Sequence, residues 1–172
     1  MSDKIDFKML LNETRPRVYL LWAVITGVGY TATHYYQNPN INAVWFVLSL
    51  IGFGYMYKVM PLRVPLMRRI FLAWLVPITF GIAVSVIAVR TDLIPDLVQY
   101  LGSFWLLVSA VGYTLNGIVD PPSKWYFAAA VLNVIAAAAC YLVDDLNQSQ
   151  YLVAAAVSLW SMLSLWLYRS DA

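Results

Sequence analysis

The sequence predicts an all-α polytopic membrane protein, six transmembrane helices arranged as an inverted repeat of three plus three. Three observations predict it. Of 172 residues, 62% are hydrophobic and 12% charged, with a mean hydropathy of +0.69, whereas a soluble domain is roughly half apolar and a quarter charged. Six apolar runs approach the roughly 20 residues that a helix needs to cross a bilayer. A pattern in the first run recurs in the fourth at a fixed offset.

Residues 1–17 form an N-terminal segment in which Ile5, Phe7, Met9, Leu10 and Leu11 alternate with charges, a weak amphipathic pattern suited to a membrane surface. The first span is read at 18–35; it is longer than the core of a signal peptide and no small-residue cleavage pattern follows, so it is read as a retained helix. Asn38, Pro39 and Asn40 break the chain before the second span, 43–60. Pro61 and Pro65 precede the third, 70–89, and Pro95 the fourth, 97–119. Pro121 and Pro122 precede the fifth, 125–143, and Asp144, Asp145 and Asn147 separate it from the sixth, 151–168. Residues 18–169 thus make one six-helix domain, with no loop long enough for a second.

Orientation follows from the basic residues, which are retained on the cytoplasmic side of short loops. Lys4, Lys8, Arg15, Arg17, Lys58, Arg63, Arg68, Arg69, Lys124 and Arg169 fall on one side of a six-span chain and Arg90 alone on the other. Both termini are therefore expected in the cytoplasm of a prokaryotic cell, the protein being integral to its membrane.

The repeat has an offset of 83. Trp22, Val28, Gly29, Tyr30 and Thr31 match Trp105, Val111, Gly112, Tyr113 and Thr114, and Pro39 matches Pro122. With three spans per half, the second half enters from the opposite face, an arrangement found in many transporters with a site near the midplane. Trp22, Thr26 and Tyr30 share one helix face, and Trp105, Ser109 and Tyr113 the equivalent one, with Thr33 and Asn116 one turn further. Two such stripes can line a path for a small uncharged solute. They serve equally as interhelical packing, in which hydroxyls and amides bond across helices.

Asn133 shares a stripe with Ala129, Ala136, Ala137 and Cys140 and is expected to join spans five and six by a hydrogen bond, or else to touch a ligand. His34, the one histidine, is either a pH-sensitive gate or part of an interfacial aromatic belt. Pro77 should kink span three, with Gly81 one turn later as a possible hinge. Asp120 stands alone on the inner face, and Asp144 with Asp145 forms a solvated pair outside.

Absences narrow the function further. The six runs contain no Asp, Glu or Arg, and their one Lys, Lys58, is two residues from the end of its run. Carboxylate proton relays, carboxylate sodium sites, voltage sensors and retinal Schiff bases are disfavoured on that basis. One His and one Cys supply neither a zinc site nor two-histidine haem ligation, so no metal or cofactor is expected. Cys140 has no intrachain partner for a disulfide. No catalytic constellation is present, and the expectation is a non-enzymatic channel- or transporter-like bundle that moves or binds a small uncharged solute. The competing expectation is a non-catalytic subunit or scaffold that binds partner proteins, lipid, a hydrophobic cofactor or further copies of itself. Nothing in the net charge of +2 suggests nucleic acid.

Overall fold

The structure, a computed structural model, describes residues 7–36, 40–91, 93–120 and 124–167, with side chains from residue 14 onward. Residues 1–6, Pro39, Pro121, Pro122, Tyr168, Arg169 and the side chains of residues 7–13 lie outside the described residues. The rest is helical: α1 (Phe7–Tyr35), α2 (Ile41–Val59), α3 (Pro65–Arg90), a 3-10 segment (Pro95–Tyr100), α4 (Leu101–Val119), α5 (Lys124–Leu142), the short α6 (Asp144–Gln148) and α7 (Gln150–Leu167). Five stretches are long and apolar enough to cross a membrane: Ile41–Val59, Pro65–Arg90, Pro95–Val119, Lys124–Leu142 and Gln150–Leu167. The helix holding the first expected span, α1, has 29 residues and extends back through Glu13, Arg15 and Arg17. Its apolar residues are diluted by threonines, tyrosines and His34.

Local chemistry sets the ends. Pro65 occupies the first turn of α3, where its missing N–H costs nothing. Pro77 leaves α3 continuous from Pro65 to Arg90. Gln150 of α7 closes the start of α4 from outside: its Oε1 accepts from the backbone N–H of Gly102 at 2.7 Å and of Ser103 at 3.2 Å. These are donors that the helix itself leaves unpaired. Its Nε2 donates to the Gln99 carbonyl at 2.7 Å.

Successive long helices pack side by side, and α7 closes the circuit against α1. Antiparallel packing gives the bundle two chemically different ends. One, the basic end, gathers the first residues of α1, α3 and α5 with the last of α2, α4 and α7, including Arg15, Met60, Met67, Asp120, Tyr126 and Leu165. The other, the amide end, gathers Asn42, Gln99, Asn147, Gln148 and Gln150.

Two of the neighbouring pairs, α1 with α2 and α3 with α4, meet through a motif of Trp and Gly seven residues apart. It occurs four times: Trp22 and Gly29, Trp45 and Gly52, Trp74 and Gly81, Trp105 and Gly112. Seven residues are just under two turns, so each Trp and its Gly share a helix face. In the α1–α2 pair the contacts are reciprocal. A Cβ on Gly52 would lie 2.6 Å from the Trp22 ring, and one on Gly29 would lie 2.7 Å from the Trp45 ring. The α3–α4 pair repeats this, Gly112 facing Trp74 at 2.5 Å and Gly81 facing Trp105 at 2.9 Å. Each ring therefore occupies a notch that only glycine leaves open.

These contacts give the offset-83 repeat a concrete content. Trp22 and Trp105 do the same job, as do Gly29 and Gly112. In this motif α1 pairs with α2 and α4 with α3, so the repeated unit carried by these contacts is a helix hairpin, although α1 packs more extensively on α7 and α4 on α5. The remaining pair, α5 and α7, lacks the motif; Ala129, Ala130, Ala136 and Ala137 of α5 and Ala154 and Ala155 of α7 are buried. Asn133 joins them, its Nδ2 donating to Ser161 Oγ at 3.3 Å and to the Ala129 carbonyl at 2.8 Å.

Gly112→Ala is expected to lower stability by about 1–3 kcal/mol, the usual cost of overpacking. Gly54 has nothing within 4 Å of its would-be Cβ, so Gly54→Ala is expected to be neutral or stabilising by up to about 1 kcal/mol through helix propensity. Thermal unfolding of the two variants in the same detergent checks the opposite signs.

Candidate functional site

A cavity of about 570 Å³ enters the bundle at the amide end, a size typical of small-molecule sites. Every long helix except α5 contributes to it: Tyr30 and Thr33 from α1, Ile41, Asn42 and Trp45 from α2, Val89 from α3, and Leu101 and Trp105 from α4. The 3-10 segment adds Val98 and Gln99, α6 adds Asn147 and Gln148, and α7 adds Gln150 and Tyr151. None of these side chains is charged. Nor do the described residues contain a cluster of His, Cys, Asp or Glu able to hold a metal.

Trp45 and Trp105 lie nearly parallel, with 14° between their planes and centroids 6.1 Å apart. Tyr30 leans on Trp45 with centroids 4.7 Å apart. The glycine notches set this arrangement, because Trp45 is seated against Gly29 and Trp105 against Gly81. Trp45 is held further by Nε1 donating to Thr33 Oγ1 at 2.9 Å, while Thr33 donates to the Gly29 carbonyl at 2.7 Å. The polar groups of the wall divide into two kinds. Gln150 is consumed by capping α4, whereas Asn42 Nδ2 and Asn147 Oδ1 are buried without a partner.

Of the stripe residues expected to face a path, the structure brings Tyr30, Trp105 and Thr33 to this cavity. Ser109 pairs with the Tyr30 hydroxyl. Trp22 packs on Gly52 and Phe53 and donates to Met56 Sδ at 3.1 Å. Thr26 turns back onto the Trp22 carbonyl at 2.8 Å. Tyr113 is fully enclosed, edge-on to Trp74 with centroids 4.9 Å apart and paired with Ser161. Asn116 bonds the Gly112 carbonyl at 2.8 Å within its own helix, and its Oδ1, like that of Asn133, is buried without a partner. His34 stands outside the cavity against the Tyr35 ring, 5.0 Å between centroids. Pro77 is buried inside α3, and Gly81 serves as the notch for Trp105.

Sequence reasoning missed Trp45, Asn42, Gln99 and the amides from Asn147 to Gln150. The signal was present: these amides sort to the ends opposite the basic loops, just as Lys and Arg sort to the other. Attention to charge alone passed over them.

At the basic end the described residues leave a pocket of only about 20 Å³, between α1, α2 and α3. Asp120, expected to stand alone, is buried at the end of α4 and ion-paired with Arg15 of α1. It also accepts from Tyr126 Oη of α5 at 2.9 Å, and Tyr126 pairs in turn with the Tyr19 hydroxyl of α1. Three helices are thereby tied by one carboxylate. Burial is the main influence on that carboxyl and raises its pKa above the ordinary value, with Arg15 pulling the other way.

Comparison with known protein families, curated proteins and solved structures returns no match. The functional reading therefore rests on the geometry of this chain.

Arg15→Ala leaves Asp120 buried beside no cation. Removing one partner of a buried pair costs about 3–5 kcal/mol, and the low end applies because Arg15 is 22% exposed. A carboxyl whose pKa is raised by folding contributes stability that is present below its unfolded value and lost as pH rises through the folded one. The destabilisation of Arg15→Ala is therefore expected to be largest at neutral pH and to shrink as the pH falls toward 4. Unfolding temperatures of both proteins across that range check it.

Proposed function

We propose that the protein is a six-span, transporter-like bundle seen with its binding cavity open at the amide end and its basic end locked, and that it accepts a small uncharged solute from the face opposite the basic loops. The observation that carries this reading is the cavity: aromatic and amide in character, fitted to a ligand in size, and free of charged side chains. A charged solute would have no counter-ion there and would lose its hydration without compensation. The same wall has no carboxylate, imidazole, amine or thiol side chain, its only hydroxyls being those of Tyr30, Thr33 and Tyr151, and a non-enzymatic role is part of this reading.

The sixth crossing in this reading is α1, supported by its close packing along α7. The ten-to-one sorting of Lys and Arg supports cytoplasmic termini in a prokaryotic cell membrane. The repeated stripe relates α1 to α4, and the reciprocal Trp–Gly contacts favour hairpins over three-helix halves as the unit that moves. Passage of solute requires the Arg15–Asp120 tie to release as the amide end closes, which gives the lock a gating role. The alternative of a non-transporting subunit makes the cavity a resting place for a partner's side chain or a lipid.

Tyr30 and Tyr113 are repeat equivalents with different surroundings, and they separate the cases. Proteoliposomes are expected to show saturable uptake of at least one of urea, glycerol and uracil, with Tyr30→Leu reducing it about tenfold. Each variant loses a buried hydroxyl pairing and is expected to cost about 1–3 kcal/mol of stability, while Tyr113→Leu leaves uptake by the folded protein unchanged. Absence of saturable uptake for all three solutes would refute transport.

A further inference from the structure

The turn between α2 and α3 concentrates positive charge. Lys58, Arg63, Arg68 and Arg69 fall within residues 58–69, and no Asp or Glu occurs anywhere from residue 14 to residue 91. All four side chains are exposed, and among the described residues none has a hydrogen-bond or ion-pair partner. Two other basic groups at this end are already engaged: Arg15 is paired with Asp120, and Lys124 lies over the Trp125 ring, 5.8 Å from its centroid.

The turn is short and closed by its own backbone. The Val64 N–H donates to the Pro61 carbonyl at 2.9 Å and the Arg68 N–H to the Val64 carbonyl at 3.0 Å, while Pro61 and Pro65 restrict the chain on either side. The first turn of α3 contains no acid, and its N-cap, Val64, supplies no side-chain acceptor. The positive end of the helix dipole therefore adds to the four cations and is not neutralised by them. Arg68, the fourth residue of α3, stands where its own helix disfavours a cation, so an external anion relieves a repulsion as well as gaining an attraction.

The surface beneath the cations shows what carries that anion. Arg69, Leu72, Val76 and Phe80 follow one another at intervals of three and four, so they lie on one face of α3. Leu72 is 43% exposed, and Val76 and Phe80 are each 60% exposed. Because α3 is long and apolar enough to cross a membrane, this stripe runs from the charged end into the hydrocarbon layer. A positive head above an exposed apolar stripe complements an amphiphile with a negative head and a hydrocarbon tail. A soluble anion meets the arginines alone, whereas a phospholipid seated on the stripe presents its phosphate to them at high effective concentration.

We propose that the α2–α3 turn and the outward stripe of α3 form a docking surface for an anionic phospholipid, its phosphate held by Arg63, Arg68, Arg69 and Lys58 and an acyl chain lying along Leu72, Val76 and Phe80. Arginine suits the task, since its planar fork pairs with two phosphate oxygens at once. The proposal is independent of whether a solute crosses the bundle.

The test measures binding of chain-labelled phosphatidylglycerol and phosphatidylcholine, with identical acyl chains, to the whole protein in mixed detergent micelles. The unaltered protein is expected to bind phosphatidylglycerol at least about tenfold more tightly, and added sodium chloride to shrink that preference, since exposed charges are screened. A basic residue near an anionic lipid contributes about 1 kcal/mol, or about fivefold. Arg63→Gln, Arg68→Gln and Arg69→Gln are therefore each expected to lower the preference about three- to fivefold. Lys124→Gln, which removes the same charge from α5, is expected to leave it within about twofold. The comparison of the two lipids on the unaltered protein stands even if a variant fails to fold. Equal binding of the two lipids would overturn the proposal, and so would an equal loss in Lys124→Gln, the mark of diffuse attraction to the whole basic end. Displacement of phosphatidylglycerol by glycerol 3-phosphate at equal concentration would make a free phosphate ester the ligand, and displacement by polyglutamate an acidic protein segment; either result would overturn the lipid.

Discussion

The seating of a tryptophan ring in a glycine notch, made twice in each of two helix pairs, is the constraint that sets the register of those pairs and the position of the rings at the cavity. In a bilayer, helices gain little from hiding apolar surface, because lipid is as apolar as leucine; close approach and dispersion contacts must hold them together. A Trp ring offers the largest side-chain surface for such contacts, and glycine offers the closest approach. Pairing them seven residues apart on both helices of an antiparallel pair makes the interface reciprocal. It also fixes the register, since a slide by one residue would drive both rings into backbone at once.

That constraint positions the cavity as a by-product. Trp45 and Trp105 belong to different hairpins, and each is held by a glycine of its own hairpin, Gly29 and Gly81. When the two hairpins meet, the two rings stack on each other, 14° from parallel with centroids 6.1 Å apart, beside the cavity at the amide end. The opposite end closes by different means, a buried carboxylate shared among α1, α4 and α5. One end is thus shaped by rigid rings and the other by a charge pair that can be broken.

Much of the helical pattern was legible in the sequence, because length and apolarity are local properties. The boundaries at 43–60, 97–119 and 125–143 fall within two residues of Ile41–Val59, Pro95–Val119 and Lys124–Leu142. Span three was read five residues short at its start, since the arginines before Ile70 resemble loop and yet continue the helix from Pro65. The packing of Asn133 between α5 and α7 was legible for the same local reason, a polar residue in a stripe of alanines. The site was less so. Tyr30 and Trp105 reach the cavity, whereas Tyr113, with the same neighbours in sequence, is enclosed by Trp74 and Ser161; which face of a helix meets a void depends on partners that a stripe does not name. Asp120 looked solitary because its partner lies 105 residues away. The Trp–Gly spacing was open to inspection, but a search for repeats at one fixed offset finds only α1 against α4, and the motif recurs at unequal intervals.

A double-mutant cycle between Gly81 and Trp105 tests the central claim most directly. Gly81→Ala is measured by thermal unfolding in the native background and again with Trp105→Leu. If the ring and the notch are the interaction, the alanine is destabilising only while the ring is present, and the coupling is about 1–3 kcal/mol, as for side chains in direct contact. Additive effects, with the alanine equally costly in both backgrounds, would contradict the account and place the origin of the bundle's register elsewhere.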